Sequence, residues 1–228
     1  MFDPALLGRL SFTHDAHPAP TRPPLPAGHH LLGISAERDA LLVVPEGLAA
    51  DAPVPLLVMF HGAGGFPKKV LPFLEAHANA RRFLLLLPHS HLVTWDIVIG
   101  GNGPDIERLD RALAEVASHF RIDPAHLGFA GYSDGASYAL SAGLTNGDIA
   151  SHVIVFSGGF MSVFMQHGAP KVFIAHGLAD EQLPIDTSAR KHAAQLKAAG
   201  YDVTLTEFNG PHAIQPPIVA MAMDFFLG

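Results

Sequence analysis

A serine between two glycines, Ser133 in the stretch GYSDG, is the residue of this sequence that best fits nucleophilic chemistry. A serine hydroxyl is a poor nucleophile until a neighbouring base takes its proton, and that base needs an acid to orient it. The chain offers both further on, with Asp180 in HGLADEQLP and His212 in GPHAI. Brought together, these three side chains could attack a carbonyl carbon and form an acyl-enzyme.

Such an attack also needs donors for the negative oxygen that forms on the carbonyl. The stretch HGAGG predicts a glycine-rich turn directly after an apolar run, with exposed backbone N–H groups and no side chain in the way. We predict the N–H of Ala63, with Gly64 as second choice, and the N–H of Asp134 as the donors of an oxyanion hole. His61 and Gly62 would shape the turn.

These residues can meet only if strands bring them to one edge of a sheet. Eight short apolar runs predict strands, and six of them lack alternation, as expected when helices cover both faces of a parallel sheet. The runs are HLLGI and ALLVVP, which suggest a leading hairpin, then PLLVMF, FLLLLP, HLGFAG, HVIVFS, KVFIAH and VTLTEF. Helical patterns lie between them at 67–81, 105–120, 134–146, 187–199 and 214–227.

The alternation of strands and helices predicts an α/β protein. Its doubly wound, mostly parallel sheet would have about eight strands in a three-layer structure. Asp105 is expected to cap the helix at 105–120. Ser133 falls on the sharp turn between the run HLGFAG and the next helix, where Gly131 and Gly135 allow close packing. The alternative is that Ser133 merely caps that helix.

Other acids and histidines fit the acid and base roles less well. Asp186 is expected to cap a helix, and Asp202 and Asp224 lie at a strand start and in a helix. Only His212 lies in the loop after the last predicted strand; the rival histidines are His152, His167, His176 and His192. The stretch HSH at 89–91 lacks a carboxylate or thiol set at metal-ligand spacing, so no metal or other cofactor is predicted.

Composition limits the classes of protein to which the chain can belong. At 228 residues and 49% hydrophobic residues it can bury one sizeable core. A net charge of -7 and a pI near 6.1 argue against nucleic acid and anionic membrane surfaces as partners. There is no cysteine, which excludes disulfides and a thiolate nucleophile.

The apolar runs are too short to cross a bilayer, and the start MFDPALLGRL lacks the pattern of a signal peptide. We therefore expect a cytoplasmic protein with no membrane span. Six prolines within residues 1–27 predict an extended N-terminal arm, followed by one domain over 28–228. Whether the chain forms a homodimer is left open.

In this order on alternating strands and helices, HGAGG, GYSDG, HGLADEQLP and GPHAI resemble the α/β-hydrolase fold. The compact form is similar to phospholipase/carboxylesterase and dienelactone hydrolase-like esterases, over roughly residues 30 to 228. Position by position, the resemblance implies Ser133 as nucleophile, Asp180 as acid and His212 as base, with Ala63 and Asp134 as oxyanion donors.

Two departures from that family bear on the substrate. Asp134 stands where carboxylesterases of this group usually have glutamine, and an aspartate there is more familiar in polyhydroxybutyrate depolymerase-like and feruloyl-type esterases. Its carboxylate is expected to point away from the oxyanion, toward the first turn of its own helix. The second departure is Ala136, which replaces a common second glycine.

The connection between HVIVFS and KVFIAH has only about a dozen residues, which excludes a large lid domain. Trp95, Phe160 and Phe164 are predicted to line a small, open pocket. The expected substrates are short acyl or aryl carboxylic esters, extending to thioesters. The alternatives are a serine peptidase of the same fold and a non-catalytic receptor for a small ligand.

Overall fold

The computed structural model describes residues 3–49 and 52–228. Strands and helices alternate along most of this length. The strands are β1 (Gly28–Leu31), β2 (Leu41–Val44), β3 (Val54–Phe60), β4 (Leu84–Leu87), β5 (Ile122–Tyr132), β6 (His152–Phe156), β7 (Lys171–Gly177) and β8 (Val203–Phe208). The helices are a 3-10 helix (Pro4–Leu7), α1 (Pro67–Arg81), α2 (Asp96–Ile99), α3 (Pro104–His119), α4 (Asp134–Thr145), α5 (Ala189–Ala198) and α6 (Pro216–Leu227).

All eight strands join one sheet in the order β1-β2-β4-β3-β5-β6-β7-β8. The first two form an antiparallel hairpin, and β2 also runs antiparallel to β4. Every other pairing is parallel. The predicted hairpin, the number of strands and the mostly parallel sheet are therefore confirmed.

The sheet is apolar on both faces because helices cover both. Along β3, Leu56 and Val58 join one core cluster, and Leu57 and Met59 join another on the opposite face. The first cluster includes residues of α3 and α4, and the second includes residues of α1 and α6. A third cluster packs α4 and α5 against β6 and β7. These three layers explain why the strand runs show no polar alternation.

Two helix starts differ from the predictions. Helix α3 has Gly103 at its N-cap and Pro104 in its first turn, so Asp105 is not the cap. Helix α5 starts after Ser188, and Asp186 instead forms an exposed ion pair with Arg190, with an N–O distance of 2.8 Å. Asp105 instead accepts the backbone N–H groups of His91 and Asp96, a contact between segments that its local sequence does not encode.

Residues 3–27 lie along α3 and the end of α4. Leu10 and Phe12 are buried in the same core cluster as α3. The backbone N–H of Leu10 donates to Asn146 Oδ1 over 2.9 Å, and that of Phe12 donates to Asp110 Oδ1 over 2.6 Å. This segment therefore packs on the sheet's helical layer.

The connection after β6, residues 157–170, contains neither a helix nor a strand and leaves no room for a lid domain. In the part of the chain that the structure describes, no helix is both long enough and apolar enough to span a membrane.

Candidate active site

Ser133 occupies a strained turn between β5 and α4, with φ 56° and ψ -121°. A positive φ is unfavourable for a residue with a side chain, so the surrounding packing must enforce it. A Cβ added to Gly131 would lie 2.0 Å from the Gly135 carbonyl oxygen, and one added to Gly135 would lie 2.3 Å from the Phe60 carbonyl oxygen. Both positions therefore require glycine, as predicted from the close approach of strand and helix.

The Ser133 side chain makes no capping hydrogen bond to α4. Its backbone is fixed instead, because its N–H donates to the Phe156 carbonyl over 3.0 Å. The alternative role for Ser133, a simple helix cap, therefore has no supporting contact between these described residues.

Asp180 and His212 lie in the loops that follow β7 and β8, and they are in contact. His212 Nδ1 donates to Asp180 Oδ2 over 2.7 Å, and both side chains are almost fully buried. Backbone hydrogen bonds join the two loops: the N–H of Leu178 donates to Phe208, and that of Ala179 donates to Gly210. The carboxylate therefore fixes the ring orientation of His212.

The other oxygen of the Asp180 carboxylate also accepts hydrogen bonds. Its Oδ1 accepts the backbone N–H groups of Gln182 and Leu183, at 3.0 and 2.8 Å. Burial would raise the pKa of Asp180, but the hydrogen bonds from the Leu183 N–H and from His212 outweigh it and lower the pKa below its ordinary value. Asp180 is therefore a carboxylate at neutral pH.

A second imidazole, that of His176, reaches the same carboxylate. Its Nε2 lies 3.0 Å from Asp180 Oδ2 and 2.7 Å from the Leu183 carbonyl oxygen. Since both partners are acceptors, Nε2 carries the proton and donates it. From the sequence His176 is only a rival for the base; its position at the end of β7, four residues before Asp180, is the feature that indicates this contact.

His212 also lies against the residue before the serine. The Tyr132 hydroxyl donates to the His212 carbonyl oxygen over 3.0 Å, and the two rings are 5.1 Å apart. Between the described residues Ser133 and His212, however, there is no side-chain hydrogen bond. The structure brings Asp180 and His212 into contact and places them next to the serine turn, but it does not join the serine hydroxyl to the imidazole.

The glycine-rich turn after β3 faces Ser133. A Cβ added to Gly62 would lie 3.3 Å from the Ser133 Cβ. Within the ranges that the structure describes, no acceptor pairs with the backbone N–H of Ala63 or that of Asp134. These two N–H groups are unpaired donors in the described structure. The N–H of Gly64 donates to the Val93 carbonyl over 2.8 Å, so the second choice of donor was wrong.

His61 holds this turn in shape. Its Nδ1 donates to the Gly62 carbonyl over 2.8 Å, and its Nε2 accepts the Ser90 N–H over 3.2 Å. Only a neutral imidazole can make both bonds, and burial lowers the pKa of His61 to about 4. The turn thus keeps its geometry at neutral pH.

The loop at 91–96 makes hydrogen bonds both to the glycine-rich turn and to Asp134. The Thr94 hydroxyl donates to Asp134 Oδ2 over 2.7 Å, so the carboxylate points at this loop and not, as expected, at its own helix. Trp95 is 1% exposed and donates from Nε1 to the His61 carbonyl over 2.8 Å. Trp95 therefore belongs to the core, and its assignment as a pocket wall was wrong.

The other predicted pocket residues lie in the connection after β6. Phe160 is half-buried, and its N–H donates to Ser137 Oγ over 3.2 Å. Phe164 is 68% exposed. Neither lines the groove that residues from 31–41, 64–68 and 89–93 form beside the glycine-rich turn.

Asp105 ties the loop at 91–96 to α3. Its carboxylate accepts the N–H groups of His91 and Asp96, at 2.6 and 2.8 Å, and it is 2% exposed. Burial, with the nearby charge of Asp96, raises the pKa of Asp105 to about 6. In the unfolded chain an aspartate has a pKa of about 3.9. At a pH between these two pKa values, Asp105 is protonated in the folded protein and ionised in the unfolded chain.

The free energy of unfolding should therefore decrease as the pH rises from about 4 to about 6. Relative to Asp105→Asn, which cannot titrate, we expect the wild-type protein to lose about 2–3 kcal/mol across this window. Urea unfolding of both proteins at several pH values measures the difference. A difference that stays constant, or that grows with pH, would contradict the assignment.

Comparisons with known proteins agree with this architecture. No model of a known protein family matches the sequence, and no curated protein does. Among solved structures, esterase PE8 is 20% identical, with a TM-score of 0.65 over 81% of this chain and 95% of its own. Native Est2 from the planctomycete Thermogutta terrifontis is 19% identical, with a TM-score of 0.67 over 88% and 91%.

The carboxylesterase of Bacillus cereus is 19% identical, with a TM-score of 0.65 over 84% of this chain and 94% of its own. At this level of identity the likeness concerns the fold. The chain has the α/β-hydrolase fold, as its resemblance implied.

Proposed function

We propose that this protein is a serine hydrolase that cleaves carboxylic esters through an acyl-enzyme. Ser133 is the nucleophile, His212 the base and Asp180 the acid. The observation that carries the proposal is the buried 2.7 Å hydrogen bond from His212 Nδ1 to Asp180 Oδ2, beside a serine held on a strained turn. A carboxylate that fixes one imidazole nitrogen leaves the other free to act as a base.

In the acylation step, His212 Nε2 takes the Ser133 proton as Oγ attacks the ester carbonyl carbon. The carbonyl oxygen becomes an oxyanion between the N–H groups of Ala63 and Asp134. The imidazolium is stabilised by Asp180 and returns its proton to the departing alcohol. Water then attacks the acyl carbon and loses a proton to His212, the bond between that carbon and Ser133 Oγ breaks, and His212 returns the proton to Oγ as the carboxylic acid leaves.

The missing contact between Ser133 and His212 is compatible with this mechanism. Hydrogen bonds between catalytic groups are often long or misaligned without substrate and shorten in the reacting complex. The Tyr132 hydroxyl holds the His212 backbone beside the serine turn, so the imidazole lies next to the residue that it would activate.

Two further observations favour esters. The similar structures are named as esterases, and esterase 2 of Thermogutta terrifontis, at a TM-score of 0.66, is described as phosphorylated by paraoxon. The connection after β6 carries no cap over the site, which suits a small ester better than a peptide end.

His176 acts as a positioning residue, since its Nε2–H holds Asp180 Oδ2 in the orientation that His212 needs.

The experiment is a panel of p-nitrophenyl and naphthyl esters with short acyl groups, assayed beside a thioester and a peptide amide. We expect turnover of the esters, slower turnover or none of the amide, and unchanged activity in Ser162→Ala, which alters an exposed serine outside the site. Folded protein that hydrolyses no ester would support the receptor alternative. Amide cleavage faster than ester cleavage would support the peptidase.

A further inference from the structure

One groove in the described structure has a volume of about 740 Å³ and lies between the β1–β2 hairpin, the start of α1 and residues 89–93. Four exposed apolar side chains line it, which is unusual for a surface in water. They are Leu31, Phe66, Leu92 and Val93, exposed to 73, 40, 49 and 66%. A groove of this size falls within the range of small-molecule sites.

The charged residues of the groove leave little net charge for a ligand. Arg38 donates to the carbonyl oxygens of Ser90 and Leu92, at 2.6 Å each. Asp39 accepts the N–H groups of Gly33 and Ile34, at 2.7 Å each. These contacts use the two charges to hold the walls in place.

The remaining charged side chains, Glu37 and Lys68, are exposed at the rim and are opposite in sign. Two histidines, His89 and His91, complete the polar part of the wall. Burial, with the charge of Arg38, lowers the pKa of His89 to about 4, so this ring is neutral at neutral pH. The groove therefore suits an uncharged, apolar group.

The groove borders the glycine-rich turn of the candidate active site. Gly64 and Gly65 form part of its wall, and Gly64 directly follows Ala63, the proposed oxyanion donor. The Val93 carbonyl, on the opposite wall, accepts the Gly64 N–H over 2.8 Å. Consecutive Cα atoms are about 3.8 Å apart, so the wall of the groove includes the residue next to the proposed oxyanion donor.

We propose that this groove binds the apolar chain of the substrate, and that the preferred substrates are uncharged esters of medium-length alkyl or aryl groups. The inference rests on the proposed function and adds a specificity site to it. The groove also replaces the pocket expected around Trp95, Phe160 and Phe164.

Two ester series identify the chain that the groove holds. The first varies the acyl group of p-nitrophenyl esters from acetate through butyrate and hexanoate to octanoate. The second varies the alcohol of acetate esters from ethanol to octanol. A fully buried methylene favours binding by a factor of about four. In this open groove we expect kcat/KM to rise about tenfold or more along one series.

Ala36→Trp narrows the groove at an exposed residue of its wall, so folding should be retained. We expect the variant to lose the rise of kcat/KM with chain length. Leu31→Glu, which places a charge on the wall, should have the same effect. Ala169→Trp is the matched control, because Ala169 is exposed and precedes β7, at the opposite edge of the sheet from Asp180.

A rise in the acyl series assigns the groove to the acyl chain, and a rise in the alcohol series assigns it to the leaving group; both support the proposal. Flat profiles in both series, or a rise that survives both groove variants, would overturn it while leaving ester hydrolysis intact. If folded protein hydrolyses no ester at all, the proposed function itself fails, and the two failures are thereby distinguished.

Discussion

Replacement of Ser133 by alanine should lower kcat/KM for p-nitrophenyl acetate by about 10⁴- to 10⁶-fold. The variant keeps the turn and the oxyanion donors but lacks the oxygen that forms the acyl-enzyme. Its fold should be retained, because the Ser133 hydroxyl makes no capping hydrogen bond to α4. Steady-state kinetics and circular dichroism measure the two effects separately.

Ser162→Ala is the control for this substitution and should retain wild-type kinetics, since Ser162 is exposed. If Ser133→Ala is folded and keeps activity within tenfold of the wild type, another group is the nucleophile. The acyl-enzyme account of this site would then be wrong.

Replacement of Asp180 by asparagine should lower kcat by about 10⁴-fold, because it forces His212 into the wrong tautomer. Asp180 Oδ1 accepts two backbone N–H groups, so the amide oxygen of asparagine must take that position. The amide NH₂ then faces His212 Nδ1. The ring can pair with it only by carrying its proton on Nε2, where it cannot accept the proton of the serine.

The matched control is Asp186→Asn in the same loop. The Asp186 side chain is 77% exposed and pairs with Arg190, which is itself partly exposed, so its loss should have little effect on activity or stability. An Asp180→Asn protein with near-wild-type kcat would show that Asp180 has only a structural role. In that case the effect of Asp186→Asn would decide whether the neighbouring acid acts instead.

Much of the fold could be predicted from the sequence because both faces of the sheet are buried. Runs such as PLLVMF and KVFIAH leave no polar face, and only a sheet covered on both sides accommodates several of them. The short helix α2 and the 3-10 helix were not predicted, since one turn is too short to show a helical period. The turn that carries Ser133 could be predicted because Gly131 and Gly135 follow from a local steric requirement.

The parts of the candidate site that could not be predicted depend on contacts between distant segments. The sequence favours Ala63 over Gly64 as a donor but cannot exclude Gly64, whose N–H is taken by the distant Val93 carbonyl. Trp95 is a large apolar residue of the kind that often lines a pocket, but its indole N–H donates to the His61 carbonyl inside the core. The role of Asp105 likewise depends on where the loop at 91–96 folds.

The most direct test of the central claim is to locate the covalent adduct formed by a fluorophosphonate probe, using mass spectrometry of the digested protein. We expect one label per chain on the peptide that contains Ser133, no label in Ser133→Ala, and much slower labelling in His212→Gln. Folded wild-type protein that remains unlabelled, or that carries its label on another serine, would contradict the claim that His212 activates Ser133.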